Sequence, residues 1–357
     1  MTVRSEHVTV AVVGASGYTG GELLRLLLGH PRVKITAVTS EKSAGSPVAS
    51  LFPHLASLMP QFFEALQPEA IAERAQVVFL ALPHTKSLEP AAACLAKGAR
   101  VIDLSADYRL KSQTDYRTWY QTAHTHPNLL AEAVYGLPEL HREDIRKARL
   151  VASPGCYPTA AILQLAPLAA AGLLWPDSVV IDAKSGVSGA GRSLALPYHF
   201  PEAHEALEAY KVGKHRHIPE IEQELNLLAR RAQPAARLGV AFTPHLVPMN
   251  RGILSTAYCR TREPLGEADL RGLYGDFYKA HRFVRLHDAG VSANPRHVRG
   301  SNFCDLSLFA DQRNGWIVTV AALDNLVKGA AGQAVQAMNL MLGFPEETGL
   351  LAPGVFP

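Results

Sequence analysis

The stretch VTVAVVGASGYTGGELLRLLL, residues 8–28, decides the fold of the chain. Its first six residues are mostly apolar and β-branched, which favours a buried strand. Leucines at helical spacing follow a glycine turn, so the pattern predicts strand, turn and helix in that order. Gly14, Gly17 and Gly20 space this turn as G-x-x-G-x-x-G. The arrangement is typical of a dinucleotide-binding turn, in which backbone N–H groups at the helix start bind a pyrophosphate. The alternative is an ordinary glycine turn.

Strand-like and helix-like segments alternate through the first part of the chain. Apolar β-type runs occur at Val33–Thr39, Val77–Leu82 and Arg100–Leu104, with helical stretches such as Leu88–Lys97 between them. This alternation is typical of a parallel sheet with crossover helices. We therefore expect an α/β chain whose residues 1–153 form a Rossmann-type, doubly wound domain.

The pattern changes after Leu150 to longer apolar strands separated by helices. It predicts a second, α+β domain over residues 154–324 with a mixed, largely antiparallel sheet, for catalysis and oligomerisation. A final helix over 329–342 has an apolar face, and we expect residues 325–357 to return to the first domain. The predicted strands of the second domain are Ser178–Lys184, Ala236–Leu246, Ile253–Thr261, Asn302–Phe309 and Gly315–Ala322.

Composition excludes several classes of protein. A net charge of +3 without a dense Lys/Arg block argues against a nucleic-acid or membrane-surface binder. The basic side chains are expected to bind a small anionic ligand instead. No apolar run is long enough to span a bilayer, and no signal peptide is evident. The cysteines lack paired spacing, which argues against disulfides and against a metal site, so a cytoplasmic protein is expected. They are Cys94, Cys156, Cys259 and Cys304.

The loop after the second predicted strand bears on cofactor choice. An acidic residue usually receives the ribose hydroxyls of NAD at this position, but here the loop reads Thr39-Ser-Glu-Lys-Ser43. The hydroxyl of Ser40 and the cation of Lys42 suit the 2′-phosphate of NADP, although Glu41 lies between them. Ser16, Tyr18 and Thr19 of the glycine turn are expected to line the same site. The segment Leu82–Lys86 follows the third strand, where ligands bind in such sheets, or simply begins the next helix.

One cysteine occupies a position suited to a nucleophile. Ser153-Pro-Gly-Cys-Tyr-Pro-Thr159 joins a short strand to an apolar helix, so Cys156 is predicted to begin that helix. N–H groups at a helix start stabilise a thiolate and also the oxyanion formed when a carbonyl is attacked. The local sequence alone is equally compatible with a small core residue.

A second cluster combines cations with imidazoles. Lys214, His215, Arg216 and His217 precede a helix whose first turn holds Pro219 and Glu220. The cluster indicates an anion site combined with proton transfer. His217 lies nearer the positive end of the helix, which favours a neutral imidazole that can act as a base.

Several motifs together resemble those of type 1 N-acetyl-gamma-glutamyl-phosphate reductases, within the aspartate-semialdehyde dehydrogenase group. The resemblance covers essentially the whole chain, in order and spacing, and departs at Gln164, where the family usually has a small residue or Cys. The motifs are Gly14-Ala-Ser-Gly-Tyr-Thr-Gly-Gly-Glu-Leu23, Asp103-Leu-Ser-Ala-Asp-Tyr-Arg109, Tyr135-Gly-Leu-Pro-Glu139, Pro154-Gly-Cys-Tyr-Pro-Thr159, Lys184-Ser-Gly-Val-Ser-Gly-Ala-Gly191, His215-Arg-His217 and Asp324-Asn-Leu-Val-Lys-Gly329.

The resemblance implies roles for these residues. Cys156 becomes the acyl-accepting nucleophile and His217 the acid/base residue of an NADP(H)-dependent reductase that converts an acyl phosphate to an aldehyde through a thioester. Ser188, Gly189 and Asn325 are placed beside the cofactor. The anionic substrate requires cations and hydrogen-bond donors, for which the candidates are Arg109, Lys184, Ser185, Lys214, His215 and Arg216, with surface ion pairing as the alternative for the charged ones.

Other functions stay open from the sequence. A sister group that reduces carrier-linked aminoadipyl phosphate in lysine biosynthesis shares nearly all these motifs, and aspartate-semialdehyde or glyceraldehyde-phosphate dehydrogenase activity lies in the same class. A non-catalytic NADP-binding regulator, or a cysteine hydrolase, would belong to a different class. The strand-rich second domain suggests a homodimer or homotetramer.

Overall fold

The computed structural model describes residues 7–356, which form two compact units. Unit 1 comprises residues 7–154 and Ala330–Leu351, and unit 2 comprises Gly155–Gly329 with residues 352–356. The chain thus changes unit between Pro154 and Gly155, one residue before Cys156. It changes again inside the glycine-rich segment that follows Asp324, and its last residues pack with unit 2.

Unit 1 is built on a six-stranded parallel sheet in the order β2-β1-β3-β4-β6-β5. The inner strands are buried on both faces, which explains their nearly continuous apolar sequences. The predicted doubly wound, Rossmann-type fold is confirmed. The strands are β1 (Val8–Val13), β2 (Val33–Val38), β3 (Val77–Leu80), β4 (Arg100–Asp103), β5 (Val134–Tyr135) and β6 (Leu150–Ala152).

Helices connect these strands. The predicted first helix begins at Tyr18, directly after the glycine turn, and the predicted Ala-rich helix begins at Leu88. The sequence reading did not resolve the shorter helices between β4 and β6. The helices are α1 (Tyr18–Leu28), α2 (Val48–Leu51), α3 (Pro68–Ala72), α4 (Leu88–Ala96), α5 (Gln113–Tyr120), α6 (Pro127–Glu132) and α7 (Pro138–Lys147).

Unit 2 contains a seven-stranded sheet in the order β11-β12-β13-β10-β7-β9-β8. Only β7 with β9 and β11 with β12 pair in parallel, so the expected mixed, largely antiparallel sheet is confirmed. The strands are β7 (Val179–Gly186), β8 (Glu208–Ala209), β9 (Val240–Val247), β10 (Ile253–Cys259), β11 (Val284–Leu286), β12 (Cys304–Asp311) and β13 (Trp316–Leu323).

Three long helices pack in unit 2, with α8 almost completely buried. Gln164 of α8 donates to Ser255 Oγ at 2.8 Å, and its main-chain oxygen accepts from the hydroxyl of Tyr274. None of the helices in residues 7–356 is long and apolar enough to span a bilayer. The helices of unit 2 are α8 (Cys156–Ala170), α9 (Phe200–Ala203), α10 (Ile218–Ala232) and α11 (Glu267–Tyr278).

The C-terminal helix α12 (Gly332–Met341) belongs to unit 1 and follows a π-helical turn, Val327–Ala331. His30 anchors it, because its Nε2 lies 2.9 Å from Asn339 Oδ1. Its Nδ1 accepts from the backbone N–H of Arg32, so the ring is held as the neutral Nε2–H tautomer. The Asn339 amide in turn donates to the carbonyls of Glu346 and Thr348, which fixes the chain beyond α12.

Lowering the pH is expected to destabilise unit 1 through His30. Burial lowers the pKa of His30, Asn339 opposes this and Arg32 adds to it, so the unfolded chain binds the proton more readily. The stabilisation is complete above the ordinary pKa of 6.5 and is lost as the pH falls below it.

Urea unfolding at neutral and mildly acidic pH checks this pH dependence of stability. His30→Gln should lose less stability on acidification than the wild type, whereas the exposed-site control His54→Gln should match the wild type. Equal pH dependence in all three proteins would contradict this assignment.

Candidate active site

Cys156 is the first residue of α8, as predicted. Gly155, in extended backbone conformation, caps the helix, and its carbonyl accepts from the N–H of Thr159 at 2.9 Å. Pro158 stands in the first turn, where its missing N–H costs no hydrogen bond. Cys156 is partly exposed. The residue is therefore not sealed in the core, and its thiol lies where helix N–H groups stabilise negative charge.

The other cysteines differ from Cys156 in burial, as expected. Cys94, Cys259 and Cys304 are completely buried. Burial, with a contribution from Glu69, raises the pKa of Cys94 to about 11, and burial raises the pKa of Cys259 to about 12. Both remain protonated at neutral pH and are poor nucleophiles. All four cysteines are thiols.

A buried carboxylate ties the cysteine turn to α10. Glu220, which is 1% exposed, accepts the backbone N–H of Gly155 at 2.8 Å. Hydrogen bonds to a buried charged acceptor contribute about 1.5–3 kcal/mol. From the sequence, Glu220 is predicted only as an acidic residue in the first turn of a helix. Its spacing from His217, three residues, was the available signal, because it places both residues at the same helix end.

His217 caps α10 and lies against the cysteine turn. A β-carbon at Gly155 would stand 2.9 Å from both Cδ2 and Cε1 of the His217 imidazole, so the ring contacts the residue next to Cys156. The ring of Tyr157 packs edge-on against His217 with centroids 6.0 Å apart. The structure thus brings the two predicted catalytic residues into one neighbourhood of unit 2.

His215 supports His217. Its Nδ1 accepts the backbone N–H of His217 at 3.2 Å. The rings of Tyr157, Tyr210 and Phe242 surround it at centroid distances of 5.4–5.7 Å. Burial, assisted by Lys211 and Arg216, lowers the pKa of His215 to about 4. His215 is therefore neutral at physiological pH and positions the chain that carries His217.

The predicted substrate cations lie in different settings. Arg109 is 5% exposed and donates to the carbonyls of Ser153, at 2.7 Å, and Leu104, at 2.9 Å. Lys184 forms an ion pair with Asp182 and lies on the opposite face of β7 from the buried Ser185, because side chains alternate along a strand. Lys214 and Arg216 are exposed beside His215. The sheet therefore separates Lys184 from Ser185.

The predicted cofactor residues of unit 2 form one hydrogen-bonded group. Asn325, which is buried, donates through Nδ2 to Ser188 Oγ at 3.0 Å and accepts through Oδ1 from the N–H of Gly252 at 2.7 Å. Ser188 Oγ donates to the carbonyl of Asn250. Gly189 lies against Ser185, because a β-carbon there would stand 2.8 Å from Ser185 Oγ. These contacts fix the glycine-rich loop that follows β7.

The glycine turn of unit 1 fits a pyrophosphate. Gly14 has a left-handed backbone, φ 75°, and a β-carbon there would stand 2.6 Å from the carbonyl oxygen of Ala81. A β-carbon at Gly20 would collide with the backbone of Ala15. At Gly17, by contrast, no atom of the described residues outside its own chain neighbours lies within 4 Å of the β-carbon position. The turn is thus closely packed at Gly14 and Gly20 and open at Gly17, where a phosphate would meet the start of α1.

The loop after β2 leaves its cation exposed. Lys42 is exposed, whereas Ser40 is 3% exposed and its Oγ accepts the N–H of Ser43. Glu41, whose charge opposes a 2′-phosphate, accepts the backbone N–H of Leu66 at 3.2 Å. The Glu41 carboxylate is therefore hydrogen-bonded to the backbone of a neighbouring segment. Ser16 and Thr19 are partly exposed in the glycine turn, and Tyr18 is 41% exposed.

Comparison with known proteins identifies the family. Residues 9–148 match the model "Semialdehyde dehydrogenase, NAD binding domain", and residues 156–325 match "Semialdehyde dehydrogenase, dimerisation domain". A curated N-acetyl-gamma-glutamyl-phosphate reductase of Geotalea daltonii is 55% identical over 98% of this chain and 99% of its own. That of Pelotomaculum thermopropionicum is 48% identical over the same shares. The chain belongs to the N-acetyl-gamma-glutamyl-phosphate reductase family. The resemblance drawn from the sequence motifs is confirmed.

Solved structures of the wider group share this fold. The crystal structure of aspartate semialdehyde dehydrogenase II complexed with ASA from Vibrio cholerae covers 95% of this chain and 99% of its own, with a TM-score of 0.70 at 18% identity. That of aspartate semialdehyde dehydrogenase with NADP from Candida albicans covers 94% and 99%, with a TM-score of 0.69 at 16% identity. At these identities the likeness shows the fold alone.

A methyl group at Gly329 is expected to disturb Cys156. A β-carbon there would stand 2.8 Å from Cys156 Cβ and 3.2 Å from its Cα, so Gly329→Ala must move the helix start at a cost of about 1–3 kcal/mol. Thermal unfolding and the rate of Cys156 alkylation by iodoacetamide both report this. Gly272→Ala in α11 is the matched control, because its β-carbon position is free of contacts within 4 Å from the described residues beyond the adjoining backbone of α11. Identical melting and alkylation in the two variants would refute the close contact.

Proposed function

We propose that this chain catalyses the NADPH-dependent reduction of N-acetyl-glutamyl 5-phosphate to N-acetyl-glutamate 5-semialdehyde and phosphate, a step of arginine biosynthesis. The observation that carries the proposal is the pairing of a partly exposed cysteine at the start of α8 with His217 at the start of α10, tied by Glu220. The names of the curated relatives support the substrate. Four reduced thiols suit the cytoplasm, where we place the reaction.

The reaction begins at the sulfur of Cys156. His217 accepts the thiol proton, and the thiolate attacks the carbonyl carbon of the acyl phosphate. The carbon–oxygen bond to phosphate breaks, phosphate leaves, and a thioester remains on Cys156. N–H groups of the first α8 turn stabilise the oxyanion during attack. When the reduced carbon releases the aldehyde, the carbon–sulfur bond breaks and the Cys156 thiolate takes back the proton held by His217, which restores both residues.

Residues of several segments fit NADP(H). When bound, the cofactor supplies the hydride that reduces the thioester carbon. The glycine turn, with Ser16 and Thr19, would hold the pyrophosphate at the start of α1, and Ser40 and Lys42 would hold the 2′-phosphate. Ser188, Gly189 and Asn325 of unit 2 are the remaining cofactor contacts in this proposal.

The substrate carries a phosphate and a carboxylate, which require cations. The Lys214 and Arg216 side chains beside His217 are the first candidates, because both residues are solvent-exposed and an incoming anion can reach them. Arg109 and Lys184 already bind main-chain carbonyls and Asp182 respectively, so they come second. The hydroxyl of Ser185 is a further hydrogen-bond donor proposed for the substrate.

Replacing the two central residues is expected to abolish turnover. Cys156→Ala removes the acyl acceptor and should leave no measurable rate, whereas His217→Ala should lower kcat about 10²–10⁴-fold, the usual contribution of an acid/base residue. The assay follows NADP⁺ reduction with N-acetyl-glutamate 5-semialdehyde and phosphate. Cys94→Ala, which removes a buried thiol elsewhere, is the control and should retain activity. A fully active Cys156→Ala variant would defeat the proposal.

The same assay separates the alternative substrates. Carrier-linked aminoadipate semialdehyde, aspartate semialdehyde and glyceraldehyde 3-phosphate are tested beside the acetylated substrate. We expect the highest kcat/KM for N-acetyl-glutamate 5-semialdehyde. Faster turnover of the carrier-linked compound would reassign the chain to lysine biosynthesis, and NADP⁺ binding without turnover of any substrate would favour a regulator.

We also propose that the chain forms a homodimer or homotetramer. The family model that matches residues 156–325 is described as a dimerisation domain. Within it, the segment between β7 and α10, which contains α9, exposes large apolar side chains, and this favours burial against another subunit. These are Leu194 (95% exposed), Leu196 (65%), Phe200 (75%), Leu207 (65%) and Val212 (56%).

Charges in this apolar segment are expected to weaken assembly. Light scattering of the wild type should give a multiple of the chain mass of 38.6 kDa, and Leu194→Asp with Phe200→Asp should shift it toward that mass. Leu351→Asp, at a separate exposed leucine, is the control. A monomeric wild type, or an unchanged mass in the double variant, would contradict the assignment.

A further inference from the structure

The loop Pro83–Ser87 of unit 1, which follows β3, is held by one buried carboxylate. Asp107 Oδ1 accepts the backbone N–H of Thr85 at 2.7 Å, and its Oδ2 accepts the backbone N–H of Ser87 at 3.0 Å. The backbone N–H of Ala106 donates to His84 Nδ1 at 3.1 Å. Thus three hydrogen bonds join the loop to the segment that follows β4.

Thr85 shows that the loop requires this support. Its φ of 69° lies in the left-handed region, which is unfavourable for a β-branched residue. Such a conformation persists only where the surroundings impose it. The bond from the Thr85 N–H to Asp107 is the contact that imposes it here.

Asp107 is itself held rigidly. Its side chain is completely buried, and Oδ1 also accepts the hydroxyl of Tyr116 at 3.0 Å. Its backbone N–H donates to Ser105 Oγ, and its carbonyl oxygen lies 2.9 Å from His124 Nε2. Asp103, also buried, binds the N–H and hydroxyl of Ser105. The carboxylate therefore has a fixed direction toward the loop.

The loop adjoins the glycine turn. A β-carbon at Gly14 would meet the carbonyl of Ala81 and, at 3.0 Å, Cδ2 of Leu82. Ala81 also donates to the carbonyl of Val13, the last residue of β1. His84, Thr85 and Lys86 expose their side chains immediately beyond. The loop thus lies at the carboxyl ends of neighbouring parallel strands, where dinucleotides bind in such sheets.

We infer that Asp107 is a positioning residue for the cofactor: it holds the loop Pro83–Ser87 as a fixed wall beside the glycine turn before NADPH binds. The inference rests on the proposed function. It accounts for a buried carboxylate that the mechanism does not use. Because the loop is already ordered, NADPH binding does not carry the entropic cost of ordering it.

Asp107→Asn tests this with little change in size. The amide turns one acceptor into a donor that faces a backbone N–H, so one loop contact is lost. The KM for NADP⁺ is expected to rise about tenfold, consistent with loss of one charge-assisted hydrogen bond. The kcat and the KM for the semialdehyde should stay within about twofold of the wild-type values. In this proposal the loop contacts neither the catalytic residues nor the semialdehyde.

A second substitution separates positioning from general stability. In Thr85→Gly/Asp107→Asn, glycine adopts the left-handed backbone without support, so the KM for NADP⁺ should fall back at least about threefold from that of the single variant. Tyr274→Phe, which loses a buried hydroxyl bond in unit 2, is the control for lost stability alone and should leave this KM unchanged. An unchanged KM for NADP⁺ in Asp107→Asn, or equal rises in both KM values, would overturn the inference.

Amide hydrogen exchange of the wild type provides a test that needs no variant. The N–H groups of Thr85 and Ser87 should exchange slowly in the cofactor-free enzyme and change little when NADPH is added. Fast exchange without NADPH, followed by protection on its addition, would show that the cofactor orders the loop and would overturn the inference. If a fluorescence titration shows no NADPH binding to the wild type, the proposed function fails, and slow exchange would still report the Asp107 contacts.

Discussion

The hydrogen bond from the N–H of Gly155 to the carboxylate of Glu220 joins two helix starts that are far apart in sequence. One start carries Cys156 and the other carries His217. Because both ends of the bond are buried, removing the carboxylate would leave an unsatisfied N–H in the nucleophile turn. Glu220, which takes no part in the covalent chemistry, thus holds the Cys156 sulfur and the His217 imidazole close together.

Unit 1 uses a buried carboxylate in a similar way. Asp107 holds main-chain N–H groups of the loop after β3, as Glu220 holds that of the turn before α8. In both cases a charged acceptor fixes a short irregular segment whose own sequence does not determine its conformation. His215, neutral because it is buried, acts comparably on the backbone of His217. Positioning in this protein therefore depends largely on side chains that bind the backbone.

Periodicity and glycine spacing were sufficient to predict both sheets, because alternating βα segments and long apolar strands lead to different sheet types. Helix-start chemistry likewise placed Cys156 correctly at the first position of α8, and His217 directly before α10. The sequence did not reveal Glu220 or Asp107 as supports, since their partners are backbone N–H groups 65 and about 20 residues away, and no residue pattern encodes such contacts. Nor did it indicate that Lys184 would pair with Asp182.

Trapping the acyl enzyme tests the central claim most directly. The wild type is mixed with N-acetyl-glutamyl phosphate in the absence of NADPH, quenched with acid and digested for mass spectrometry. We predict one N-acetyl-glutamyl group on the peptide that contains Cys156, released as the aldehyde when NADPH is added before the quench. An enzyme that turns over with Cys156 unmodified, or that carries the acyl group on another residue, would contradict the account.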